Sequence, residues 1–211
     1  FSAFGESMTA FEQFLNDFPN SRYTEQVSDY LVDGYTNTRS YEAALKSIER
    51  IQTPNARIQQ AKTRILFQLG TQEFANTNYA QAIDYFGQSV QTAERLGSSA
   101  QAYKAEALYW RGESFYRQGN IDQAARDYNS YLSQAVNKAD QTYALAHYNL
   151  GYTDFHKKNY AQAQQHFAQF VSLEKDHNTA LLADAYNRIG DTNYYTQNYK
   201  DAEASYEKAI S

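Results

Sequence analysis

The sequence contains no cysteine. Disulfides, thiolate metal sites and cysteine nucleophiles are therefore excluded at once. Proline occurs twice and glycine nine times in 211 residues, too little punctuation for an all-β chain with its many tight turns. No apolar run approaches the roughly 18 residues that a membrane-spanning helix needs. Basic clusters are missing too, and the formal net charge is -5. A phosphate backbone is held mainly by clustered Lys and Arg, so no nucleic-acid partner is expected. Beginning at Phe1 with no initiator Met, the chain reads as a processed or excised piece.

Aromatic side chains are abundant, with 20 Tyr and 12 Phe, so burial must rely on rings. One phrase recurs: Ser40-Tyr41-Glu42-Ala43-Ala44, Asn78-Tyr79-Ala80-Gln81-Ala82, Asn120-Ile121-Asp122-Gln123-Ala124, Asn159-Tyr160-Ala161-Gln162-Ala163 and Asn198-Tyr199-Lys200-Asp201-Ala202. Four residues beyond each final Ala stand Ile48, Phe86, Tyr128, Phe167 and Tyr206, and three further on Ile51, Ser89, Tyr131, Phe170 and Ala209. That spacing is one face of an α-helix. The Ser or Asn before each phrase is a candidate N-cap. Upstream, Gly70, Gly112, Gly151 and Gly190 mark a second helix, with Phe74, Tyr116, Phe155 and Tyr194 four residues later. A glycine inside a helix costs about 1 kcal/mol relative to Ala, so its return at one register implies close approach of a neighbour.

Successive phrases are 38, 42, 39 and 39 residues apart, room for two helices and two short turns. The N-terminus adds half a unit in which Phe4, Ser7, Phe11 and Phe14 keep the same offsets; Pro19 ends its helix and Ser21 is placed to cap the next. The periodicity predicts about eleven helices, near 3–17, 22–38, 41–52, 56–76, 79–95, 99–118, 121–136, 139–157, 160–174, 179–196 and 199–210. Thr53-Pro54-Asn55, Gly97-Ser98-Ser99 and Asp176-His177-Asn178 are the connectors. The fold class is all-α, one continuous solenoid of antiparallel helix pairs, with a half repeat at 1–20 and repeats at 21–55, 56–97, 98–137, 138–177 and 178–211.

These residues resemble the tetratricopeptide repeat, whose pattern is an aromatic, Leu-Gly, an aromatic, Ala, an aromatic and a closing Pro. Here the period is longer than the usual 34, the closing Pro is mostly missing, and Arg111 stands where an apolar residue precedes the glycine. The resemblance implies a right-handed solenoid whose concave face, lined by the first helix of each unit, takes up partner peptides or helices. Phe14-Leu15-Asn16-Asp17-Phe18-Pro19-Asn20-Ser21-Arg22-Tyr23 is similar to a phrase of periplasmic members, the outer-membrane assembly lipoproteins and Tol–Pal coordinators among them. That likeness suggests a periplasmic or outer-membrane-associated location, with the cytoplasm as the alternative.

Register places Arg64, Phe67, Thr71 and Phe74 on the groove, then Glu106, Tyr109, Trp110, Glu113 and Arg117, then Tyr148, Asn149, Tyr152 and His156, and finally Asp184, Asn187, Asp191 and Tyr195. Tyr109, Trp110, Tyr148 and Tyr152 are the favoured contact patch, since such rings supply apolar area and a polar tip. They are also the residues a solenoid would use simply to fill its helix interfaces. A Tyr148→Ala, Tyr152→Ala double variant is expected to lose its partner and keep its helices. Some family members capture a C-terminal carboxylate with Lys and Asn where this chain has Phe67 and Thr71, so that clamp is not expected.

No catalytic constellation, cofactor or metal is expected. His147, His156, His166 and His177 are 9, 10 and 11 apart, which forbids ligation by neighbours within one helix; they read as surface or capping residues. The pairs Glu106/Glu113 and Asp184/Asp191 have the spacing of a glycosidase dyad on one face, and read as a solvated acidic groove. The leading function is thus a protein-interaction scaffold, followed by a glycan-binding module and then a helical glycoside-acting enzyme. The unpartnered first helix and uncapped last unit suggest further repeats or self-association.

Overall fold

The computed structural model describes residues 3–174 and 177–211; the Phe4 side chain and Asp176, both invoked above, lie outside what is described. Among the described residues there are eleven α-helices and no strand: α1 (Ala3–Asp17), α2 (Thr24–Asn37), α3 (Tyr41–Glu49), α4 (Ala56–Ala75), α5 (Tyr79–Leu96), α6 (Gln101–Arg117), α7 (Ile121–Gln134), α8 (Gln141–His156), α9 (Tyr160–Leu173), α10 (Thr179–Tyr195) and α11 (Tyr199–Ile210). A 3-10 turn, Gly97–Ala100, leads into α6. The architecture is all-α and of the solenoid type, and it divides into two compact units, Phe1–Gln118 and Gly119–Ser211. The division falls inside the repeat expected over 98–137, between its two helices.

In the first unit α4 packs along α5 and α5 along α6, while α2, α4 and α6, the first helices of three successive repeats, also meet directly. In the second unit α8, α9, α10 and α11 pack in order. The repeating phrase supplies the cores. Ala44, Ala82, Ala124, Ala163 and Ala202 are all buried, as are Ile48, Phe86, Tyr128 and Phe167 four residues on. Burying each large apolar side chain stabilises by about 1.5–3 kcal/mol.

The helix glycines are there for those rings. A Cβ on Gly70 would lie 2.6 Å from the Phe86 ring, on Gly151 2.8 Å from Phe167, and on Gly190 2.5 Å from Tyr206. Gly151→Ala gains about 1 kcal/mol of helix propensity but forces a fully buried ring aside, at about 1–3 kcal/mol. A net loss of stability is therefore expected by urea titration, relieved when Phe167→Leu accompanies it.

Of the five caps expected at the repeated phrase, three are not made. Ser40 and Asn120 accept from the backbone N–H of Ala43 and Gln123, but Asn78, Asn159 and Asn198 form no side-chain cap. Their backbones are already committed to ending the preceding helix. Each donates its N–H to the carbonyl five residues back, Glu73, Asp154 and Asn193, all at 2.8 Å. The residue between, Thr77, Lys158 or Gln197, sits at a φ of 61°, 61° or 66° and donates to Phe74, Phe155 or Tyr194 at 3.0 Å. This is the Schellman termination, built here without glycine. Ser21 likewise caps a turn, accepting from Tyr23 N–H, rather than α2 itself.

α1 is tied down by polar contacts. Arg50 grips Glu12 with two bonds, Nε to Oε2 at 2.7 Å and Nη2 to Oε1 at 2.8 Å. Asn16 donates to the Arg50 carbonyl at 2.7 Å and accepts from Gln52 N–H at 2.8 Å. Asn16 thus takes the backbone groups at the end of α3, which stops at Glu49 rather than near residue 52.

Candidate functional site

In the first unit α2, α4 and the start of α6 form an open cavity of about 350 Å³, lined by Val32, Asp33 and Thr36 of α2, Arg57, Gln60, Ala61 and Arg64 of α4, and Ser99 and Tyr103 ahead of and on α6. Arg57, Gln60, Arg64, Phe67 and Thr71 form one stripe along α4, as the helical period requires. Arg64 donates from Nη2 to Thr36 Oγ1 at 2.9 Å, and Arg57 pairs with Asp29 at 2.9 Å. Of the residues lining the cavity, the sequence register names only Arg64. It reached no residue of α2, because Val32 replaces the glycine that marks the register elsewhere.

Further along the same helices lies an aromatic cluster. Trp110 stands edge-on to Phe74 at 5.3 Å and to Tyr109 at 5.2 Å, and the Arg117 guanidinium lies 5.7 Å from the Phe74 centroid. Tyr109 is only 3 % exposed, which corrects its placement on the open face: it supports Trp110 from within. Phe67 is half-buried and leans on Phe86 at 5.7 Å. Thr71 and Arg117 are exposed, Trp110 and Glu113 half-buried.

In the second unit α8 faces α10 through a polar network. Tyr148 and Tyr152 both donate to Asp184 Oδ2, Tyr148 at 2.7 Å. Arg188 lies between the two acids, 3.7 Å from Asp184 Oδ1 and 2.7 Å from Asp191 Oδ2. Tyr206 donates to the other oxygen of Asp191 at 2.7 Å. Burial first, then the hydrogen bond to Asp184, raises the Tyr152 phenol to about 12 and lifts Tyr148 further. Tyr206 is raised to about 12 by burial and by Asp191. Asp184 and Asp191 therefore hold α8, α10 and α11 together.

The Tyr148 and Tyr152 rings also have a structural duty. Tyr148 lies 5.0 Å from Phe170, and Tyr152 lies 5.2 Å from Phe167, both fully buried. Double alanine replacement would strip cover from that core, so its expected retention of helicity is corrected. Asn149 holds the Tyr128 hydroxyl at 3.2 Å. His156 and Tyr195 are exposed, and Tyr195 stacks on Tyr160 at 4.9 Å. Asn187 turns toward α11, beside Tyr194, Tyr199 and Tyr206.

Residues 106–137 match one family profile described as tetratricopeptide repeat, and 144–177 and 183–211 match a second of the same description. These matched segments are of the tetratricopeptide-repeat kind. No curated protein matches it in sequence. Solved structures share the repeat fold: BtubC (BKLC) from P. vanneervenii is 13 % identical with a TM-score of 0.64 over 100 % of this chain and 91 % of that one. YrrB, described as a TPR protein with an unusual peptide-binding site, is 16 % identical, TM-score 0.56, over 95 % and 91 %. The Rap conjugation gene regulator of plasmid pLS20, in complex with the Phr* peptide, is 15 % identical, TM-score 0.51, over 97 % and 53 %. At these identities the tetratricopeptide likeness concerns the fold.

Proposed function

We propose that this chain is a protein-interaction scaffold that takes up an extended peptide segment of a partner against its first-helix faces. The observation that carries the reading is the cavity shared by α2, α4 and α6. Three successive repeats present it with guanidinium groups, a phenol and small hydroxyls. Such a surface donates hydrogen bonds to peptide carbonyls or carboxylates, while Val32 and Ala61 receive apolar side chains. Two structures of the same fold, YrrB and the pLS20 Rap regulator, are described by their peptide binding, which supports the same use here. Asp184 and Asp191, the acids at dyad spacing, are taken up in the contacts among α8, α10 and α11, and the reading is one of binding.

Peptides selected from a display library on the purified chain test this. Arg64→Ala is expected to weaken the selected peptides ten- to a hundred-fold, the usual effect of about 1.5–3 kcal/mol for hydrogen bonds from a charged group. Arg126→Ala, on the exposed side of α7, should leave them unchanged. Equal loss from both variants, or none from either, would contradict the assignment, and a glycan array run in parallel separates peptide from sugar capture. As part of the same proposal we place the protein at the bacterial envelope, on the strength of the phrase from Phe14 to Tyr23. Cell fractionation of the native protein tests that placement.

A further inference from the structure

We propose that His147 and His166 form a two-histidine binding site for a divalent transition-metal ion such as zinc, copper or nickel, bridging α8 and α9. The two residues are 19 apart in sequence, yet their Nδ1 atoms face each other at 3.0 Å. Two nitrogens on one tetrahedral zinc ion, each about 2.0–2.1 Å from it, stand about 3.4 Å apart. A small tilt of the rings therefore converts the pair into a chelate. The remaining nitrogen of His166, Nε2, lies 3.7 Å from Asp154 Oδ2, the outer carboxylate that commonly orients a ligating imidazole. Both rings are half-buried. A metal takes each imidazole in its neutral form, the form in which one ring nitrogen can donate to the other as they do here.

The outer side of the pair is open. His147 and His166 line a concavity of about 440 Å³ with Gln165, Ala168, Gln169 and Ser172, where water or a third ligand completes the coordination sphere. Among the described residues no three His, Asp or Glu side chains gather as a closed cage, so the protein contributes two ligands and leaves positions free. Without metal, one Nδ1–H donates to the other Nδ1. Binding moves that hydrogen to the Nε2 of the same ring, exposes both Nδ1 lone pairs, and releases no proton at neutral pH.

Calorimetric titration of the whole chain with zinc and nickel tests the proposal. Saturable one-to-one binding is expected, with a rise in Tm. His147→Gln and His166→Gln should each weaken it at least about tenfold and Asp154→Asn by about tenfold, with His156→Gln as the unaffected control. Undiminished affinity in the first two variants, or no saturable binding at millimolar metal, overturns the site. Should either variant fold poorly, copper-loaded unaltered protein decides. Electron paramagnetic resonance is expected to show hyperfine coupling to two imidazole nitrogens, and coupling to none overturns the proposal.

Discussion

Replacing Arg50 with methionine is expected to lower the stability of the first unit by about 3 kcal/mol, although Arg50 lies at the surface. The pair is asymmetric: the Glu12 side chain is 4 % exposed and that of Arg50 54 %. Removing the arginine leaves a buried carboxylate without its bidentate partner, which is the expensive way to break an ion pair. Removing the acid instead, as Glu12→Leu, leaves a guanidinium already half in water, and the loss should be much smaller. Combining the two should recover most of the deficit, since an apolar pair of similar volume replaces a desolvated one. Thermal unfolding of the three variants checks the order. At 2–4 °C per kcal/mol for a chain of this size, Arg50→Met should fall by about 6–12 °C. Equal losses from the two single variants would contradict the account.

The second large effect is expected at Asp184. Asp184→Ala removes the acceptor of both the Tyr148 and Tyr152 hydroxyls and one partner of Arg188. Hydrogen bonds to a charged group contribute about 1.5–3 kcal/mol each. The site is only half-buried, so a combined loss of about 2–4 kcal/mol is expected. The pH dependence carries the same signature. A phenol whose folded pKa exceeds its unfolded value of 10 contributes stability that is whole below pH 10 and is lost as pH rises toward the folded value. With Tyr152 and Tyr206 raised to about 12 and Tyr148 higher still, the unaltered chain should lose stability steeply between pH 10 and 12. In Asp184→Ala the share that Asp184 adds at Tyr148 and Tyr152 is gone while Tyr206 keeps its bond to Asp191, so the slope should be shallower. Urea titrations at pH 8, 10 and 11 separate the outcomes, and parallel curves for both proteins would contradict the network's role.

The features legible in the sequence are those that live within one helix. Ala163, Phe167 and Phe170 fall on one face by the period alone, and they are the buried core of the second unit. Gly151 announced a close neighbour, and Phe167 is that neighbour. The illegible features require the register between helices. His147 meets His166, Glu12 meets Arg50, and Asp191 meets Tyr206. No spacing rule for a single helix connects such distant residues. The two histidines satisfy no i+3 or i+4 rule, because their meeting depends on how α8 and α9 slide past one another. The Schellman turns escaped notice for a different reason. Thr77, Lys158 and Gln197 occupy left-handed positions where glycine is the usual signal, and only the equivalent Gly119 carries it.

In the proposed function the faces of α2 and α4 meet the partner. Photo-cross-linking from two exposed glutamines tests it most directly: Gln60, which lines the cavity, and Gln91 on α5, which does not. A benzophenone amino acid at Gln60 is expected to capture the selected peptide, with little capture from Gln91. Equal yields, or capture from Gln91 alone, would contradict it.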